Sequence, residues 1–235
     1  MSYKRPNKTR QDLFIRERQF ITVLASFIAV FSLLIFIASL LGFFSEITYG
    51  YRNFLLANLG KYSKWSGGYG PQWFVILMDD ISSLSSGPII LLFLILISIY
   101  LFVKEKKEIL KPYLIVIIGG GFFSLLLKTI FSKTPTFDLI KLLLLNTNPY
   151  PSGHAMLSVI FYLTSAYFFS KSEENHKVRA LFFTVGFIMP FLIGLSRIFI
   201  GAHSPDQVIA GWAAGFFWIS ICWLAGIKLS KKSFY

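Results

Sequence analysis

One cysteine, three histidines and eleven acidic residues are all that a 235-residue chain holds of the side chains that most often bind metals or carry covalent chemistry. Cys222 stands alone, so no disulfide forms within the chain and no cysteine-based metal site is available. It reads as a small apolar packing residue. His154 and His203 have no cluster of carboxylates about them, and neither a metal nor another cofactor is expected. Charge is scarce too: 14% of residues are charged against 55% hydrophobic. That leaves too little polar surface for a soluble domain of this size.

What is present is oil in long runs. Apolar stretches at 20–44, 87–103, 113–131, 155–170, 180–200 and 207–227 reach or approach the roughly 20 residues that cross a hydrocarbon core. They predict an all-α integral membrane protein, a bundle of six transmembrane helices forming one domain over 1–235. The first run is too long for a signal-peptide core and lacks a small-residue cleavage pattern, so it is expected to stay as an anchor. Gly119-Gly120-Gly121 has no Lys-Ser/Thr after it and lies inside an apolar run; it reads as close helix packing, not as a nucleotide loop.

Charge is placed unevenly. Lys4, Arg5, Lys8, Arg10, Arg16 and Arg18 fill a basic lead over 1–18, expected to be helical in part and to lie near the membrane surface. Lys104, Lys106, Lys107 and Lys111, then Lys171, Lys177 and Arg179, then Lys228, Lys231 and Lys232 fall on the same side. The positive-inside rule puts that side and both termini in the cytoplasm, with the basic groups meeting anionic lipid. Nucleic acid is not an expected partner, and no obligate protein partner is evident. The connection 45–86 is extracytoplasmic on this path. Tyr49, Tyr51, Phe54, Tyr62, Trp65, Tyr69, Trp73 and Phe74 suit the headgroup layer, around a loop broken at Gly67-Gly68 and Gly70-Pro71. Asp79 and Asp80 at its end read as solvated turn residues, and His176 among Glu173, Glu174 and Lys177 as a solvated loop residue.

Two polar clusters interrupt the oil: Pro151-Ser152-Gly153-His154, and Ser196-Arg197 followed by His203. With Lys128 they occupy ends of apolar runs on the extracytoplasmic side. Ionisable groups at that depth are costly unless paired or hydrated, which makes them functional suspects. Arg197 can fork onto two phosphate oxygens and Lys128 adds a point charge. Ser152 and the Gly153 amide open a helix, where free N–H groups favour an anion. A neutral His203 can attack phosphorus while His154 gives a proton to the departing oxygen.

At these residues the chain resembles the type 2 phosphatidic acid phosphatase (PAP2) superfamily, which includes vanadium haloperoxidases, and within it the membrane lipid phosphatases. Its pattern is Lys-(six)-Arg-Pro, Pro-Ser-Gly-His and Ser-Arg-(five)-His-(three)-Asp, matched best over 128–215. The resemblance implies hydrolysis of a lipid phosphate or pyrophosphate through a phosphohistidine. It makes His203 the nucleophile, His154 the general acid, and Lys128, Ser152, Gly153 and Arg197 the phosphate ligands. Two positions depart from it. Pro135 and Thr136 stand in the Arg-Pro slots, leaving Lys133 as the nearest cation. Gln207 stands in the Asp slot, with Asp206 one position early. Either side chain is within reach of the His203 ring; Gln207 would orient it, and Asp206 would also stabilise an imidazolium.

The expected protein is thus a lipid phosphatase of a bacterial inner (plasma) membrane with an extracytoplasmic site. Its candidate substrates are undecaprenyl pyrophosphate, slightly favoured, phosphatidylglycerol phosphate, phosphatidic acid and a lipid A phosphate. Lipid-to-lipid phosphotransfer is the alternative, and a non-catalytic lipid-phosphate binding or transport protein a second. Two histidines in opposite protonation states predict a bell-shaped dependence of kcat/KM on pH. A profile with a single limb would contradict the acid and nucleophile pair.

Overall fold

The computed structural model describes residues 8–60, 68–131, 150–171 and 173–230. Regular structure among these residues is helical: α1 (Lys8–Leu40), α2 (Ser45–Leu59), α3 (Gln72–Ser83), α4 (Gly87–Val103), α5 (Lys107–Ile130), α6 (153–171), α7 (His176–Phe199) and α8 (Pro205–Ser230). Unbroken helix suits these runs, because hydrocarbon offers no water to an unpaired backbone group.

Among the described residues, four helices are long and apolar enough to cross a membrane: Gln19–Leu40 within α1, α5, α7 and Pro205–Gly226 within α8. The second expected run is α4, joined to α3 as a bent pair with 44° between them, so the pair makes at most a fifth crossing. The fourth expected run is α6, in which Val159–Leu163 widens to a π-turn between Gly153–Ser158 and Thr164–Lys171. Hydropathy detects neither interruption, since a bend and a widened turn leave the composition apolar. The described helices therefore do not reproduce six uniform spans.

From Lys8 onward the basic lead is helical, as expected of part of it, and continues α1 without a break; at about 1.5 Å per residue such a helix is longer than the roughly 30 Å hydrocarbon core. One local expectation is corrected: Asp79 and Asp80 are exposed but lie inside α3, not in a turn. His176, by contrast, is exposed at the start of α7, where the Asn175 side chain caps the Lys177 amide at 2.9 Å.

α8 is the centre of the bundle, with α1 along one side and α6 along another, while α7 packs on α6 and on α3. Small residues permit these approaches. A Cβ on Gly211 of α8 would stand 2.5 Å from the Ser152 carbonyl oxygen and 3.0 Å from Ala155 Cβ. One on Gly215 would meet the Met156 carbonyl at 2.9 Å, and Gly194 of α7 lies directly against the Trp212 ring. The triple glycine of α5 divides by role. Gly119 and Gly120 pack on Trp218 and Ile160, whereas Gly121 faces open space. Buried apolar side chains, including Tyr113, Ile117, Met156, Ile160, Ala210 and Ala214, fill the space between α5, α6 and α8.

Gly211→Ala is expected to lower stability in detergent by about 1–3 kcal/mol, because its methyl group meets backbone. Gly121→Ala should be neutral or stabilising, since Ala is about 1 kcal/mol better than Gly in a helix interior. Thermal unfolding of the two variants checks this; equal midpoints would contradict the packing.

Candidate active site

The spacing from Arg197 to His203 is set by how α7 ends. Gly201 takes φ +72°, a left-handed conformation that favours glycine. Its amide donates to the Ile198 carbonyl at 3.0 Å and the Ala202 amide to the Arg197 carbonyl at 3.1 Å. These are the paired bonds of a Schellman close. The His203 amide donates to the same Arg197 carbonyl at 3.1 Å. Five intervening residues are what this reversal takes, and it brings His203 back beside the end of α7.

α8 begins at once. Ser204 precedes Pro205, the first helical residue, where a missing N–H costs nothing. Gln207, three residues after Ser204, reaches back: its Oε1 accepts from the Ser204 amide at 3.1 Å. This is the side-chain half of a capping box. The same oxygen lies 3.1 Å from His203 Nδ1. Because the Ser204 N–H can only donate, the atom facing it is the amide oxygen, and the proton of the second bond belongs to Nδ1. His203, 7% exposed, is thereby held with its lone pair on Nε2.

Of the two candidate orienters, then, Gln207 makes the contact. Asp206 faces away: its carboxylate accepts from Thr48 Oγ1 at 3.3 Å and its carbonyl from Ser39 Oγ at 2.8 Å. It ties the start of α8 to α1 and α2.

Ser152 is fully buried at the N-cap of α6, and its hydroxyl accepts from the Ala155 amide at 3.5 Å. Its own amide donates to the Gln207 carbonyl at 3.0 Å, so the two polar clusters are bonded through backbone. Gly153 is packed under Lys128, and a Cβ there would stand 2.9 Å from Cε and 3.0 Å from Nζ of that lysine. His154 is half-buried, and the charges of Arg197 and Lys128 and the His203 ring all act on it. Arg197, 8% exposed, donates from Nη1 to Ser82 Oγ at 2.8 Å. Its Nε–H has no hydrogen-bond partner among the described residues.

A cavity of about 530 Å³ opens beside this cluster, between α4, α5 and α6. Lys128, Gly153, His154, Ser85 and Ser86 line one part; Ile118, Phe122, Leu125 and Leu157 line the other. Cations and hydroxyls thus give way to apolar walls within one space, an arrangement that suits an anionic head on an apolar tail. Lys128, Gly153 and His154 line it; Arg197 and His203 act on His154, and Ser152 and Gln207 join the same cluster through the backbone bond between them and the bond from Gln207 to His203. Lys133 and the Pro135 and Thr136 departures lie outside the described residues.

The sequence profile of the PAP2 superfamily matches residues 54–230. The chain belongs to the PAP2 superfamily. Phosphatidylglycerophosphatase B of Bacillus subtilis is 30% identical over 67 residues, which are 28% of this chain and 33% of that protein. The match therefore spans about a third of that relative's length. The crystal structure of a transmembrane PAP2-type phosphatidylglycerolphosphate phosphatase, also from Bacillus subtilis, aligns with 90% of this chain and 98% of its own at a TM-score of 0.67 and 18% identity. The two chains share a fold over nine-tenths of this one.

The Gln207 geometry predicts a split between neighbours. Gln207→Ala should lower kcat by about ten- to a hundredfold by releasing the His203 tautomer. Asp206→Asn should keep a near-wild-type rate. Steady-state rates for the pair check this; equal, wild-type-like values would remove Gln207 from its role.

Proposed function

We propose that this PAP2 protein is a membrane lipid phosphatase that works through a phosphohistidine on His203. The observation that carries the reading is the cavity in which Lys128, Gly153 and His154 adjoin Ile118, Phe122, Leu125 and Leu157. A phosphate needs the first group, and an acyl or prenyl chain the second. The relatives support phosphatidylglycerol phosphate as the first substrate to test, ahead of undecaprenyl pyrophosphate, which the sequence alone slightly favours.

In this reading Arg197, Lys128 and the amides at the start of α6 take the phosphate oxygens. Nε2 of His203 attacks phosphorus. The bond to the lipid oxygen breaks with its electron pair on oxygen, and His154 protonates that oxygen. Water then attacks the phosphorus and gives a proton to His154, now a base; the P–N bond breaks with its electron pair on Nε2, which frees inorganic phosphate and restores both histidines. The donors are in place before charge develops, so little reorganisation is needed in the transition state. The Gln207 amide orients the ring without the charge an aspartate would add.

The proposal extends to topology. The chain crosses a bacterial plasma membrane six times as one domain, counting α6 and the bent α3–α4 pair, with both termini cytoplasmic and the site outside. Support comes from the helix ends. Lys104, Lys106 and Lys107 sit at the junction of α4 and α5, and Lys128 at the other end of α5.

Purified protein in detergent, given a panel of lipid phosphates, should release inorganic phosphate, most rapidly from phosphatidylglycerol phosphate. His203→Ala should abolish release, and His154→Ala should reduce it by on the order of 10²- to 10⁴-fold. Full activity of His203→Ala would refute the assignment. Binding of lipid phosphate without release would favour the binding protein instead, and phosphate moved to an added lipid acceptor would favour the transferase.

A further inference from the structure

Arg197 is reached from a part of the chain that carries none of the PAP2 motif residues. Ser82, the eleventh residue of α3, stands 115 positions earlier and is 2% exposed. Its Oγ accepts from Nη1 at 2.8 Å in a buried contact. Arginine has four flexible torsions, so one fixed acceptor does much to select a single guanidinium orientation.

The acceptor is itself held. Where α3 ends, the Ser82 carbonyl accepts from both the Ser85 amide at 3.2 Å and the Ser85 hydroxyl at 3.3 Å. α3 is also tied to the last turn of α7, which carries Arg197. The Tyr69 amide, just before α3, donates to the Phe199 carbonyl at 2.8 Å, and the Phe74 and Phe199 rings meet edge to face at 5.2 Å. Asp79, one turn before Ser82, adds its charge to the same guanidinium. Meanwhile Nε–H, buried and without a partner among the described residues, belongs to the edge that can grip an oxyanion side-on.

We infer that Ser82 is a positioning residue for Arg197: its hydroxyl pins Nη1 and leaves the Nε edge of the guanidinium for the substrate phosphate. The inference rests on the phosphate-binding role given to Arg197 above. It brings the bent α3–α4 pair into the phosphate site.

The test compares Ser82→Ala, Ser82→Thr, Arg197→Ala and the Ser82→Ala/Arg197→Ala double variant. The readouts are kcat/KM on phosphatidylglycerol phosphate, inhibition by inorganic phosphate, and thermal unfolding with and without phosphate. Ser82→Ala should lose about tenfold or more in kcat/KM and weaken phosphate inhibition in parallel, the scale of a lost bond to a charged group. Its unfolding midpoint without phosphate should be close to wild type. Ser82→Thr, which keeps the hydroxyl, should retain most activity, and the double variant should be no worse than Arg197→Ala alone. Unchanged kinetics in Ser82→Ala, or losses that multiply in the double variant, would overturn the inference. So would a Thr variant as impaired as the Ala variant. If wild-type protein hydrolyses no lipid, the functional reading falls and the phosphate-dependent shift in unfolding decides alone. A shift in wild type that Ser82→Ala loses supports Ser82, and an equal shift in both, or none in either, refutes it.

Discussion

The Ser152 amide donates to the Gln207 carbonyl across 3.0 Å, and the positions of both polar clusters follow from that bond. Ser152 opens α6 and Gln207 lies in the first turn of α8, so the bond joins two helix starts. First-turn amides have no partner within their own helix, and a buried one left unpaired costs about 1–3 kcal/mol. The two starts are therefore held in contact, and Gly211 supplies the clearance that lets the α6 backbone come so close. His154 and His203, each within a few residues of this bond, are positioned by backbone and not by their own side-chain torsions alone.

Gln207 meets three demands with one residue. Its carbonyl takes the Ser152 amide, its side chain caps the Ser204 amide, and the same side-chain oxygen orients His203. The usual superfamily aspartate would bring a negative charge directly against the His203 ring. An amide fixes the same tautomer without that charge. Asp206 is then released for a structural task, joining α8 to Ser39 and Thr48.

Much of the site was legible because it lies at helix ends, where short motifs have short-range causes. Ser152-Gly153-His154 reads as a helix start, and it is one. The interval from Arg197 to His203 is a Schellman close whose mark, Gly201, was in plain view. Ser204-Pro205-Asp206-Gln207 carries the capping-box signature, and that signature would have chosen Gln207 over Asp206. Ser82 was not legible at all, since its role depends on α3 packing against α7 across 115 residues. The π-turn in α6 and the bend between α3 and α4 escaped for another reason: both change geometry while leaving hydropathy untouched. Asp79 and Asp80 misled as turn residues because acidic pairs favour turns, but the apolar residues around them carry α3 past that point.

The central claim is that His203 attacks through Nε2 because Gln207 keeps the proton on Nδ1. Rapid quenching of the enzyme with lipid carrying a radiolabelled phosphate, followed by mapping of the labelled ring nitrogen, tests it most directly. The account predicts an acid-labile, base-stable phosphoryl group on Nε2 of His203. Label on Nδ1, on another residue, or phosphate release with no labelled enzyme at any quench time would contradict it.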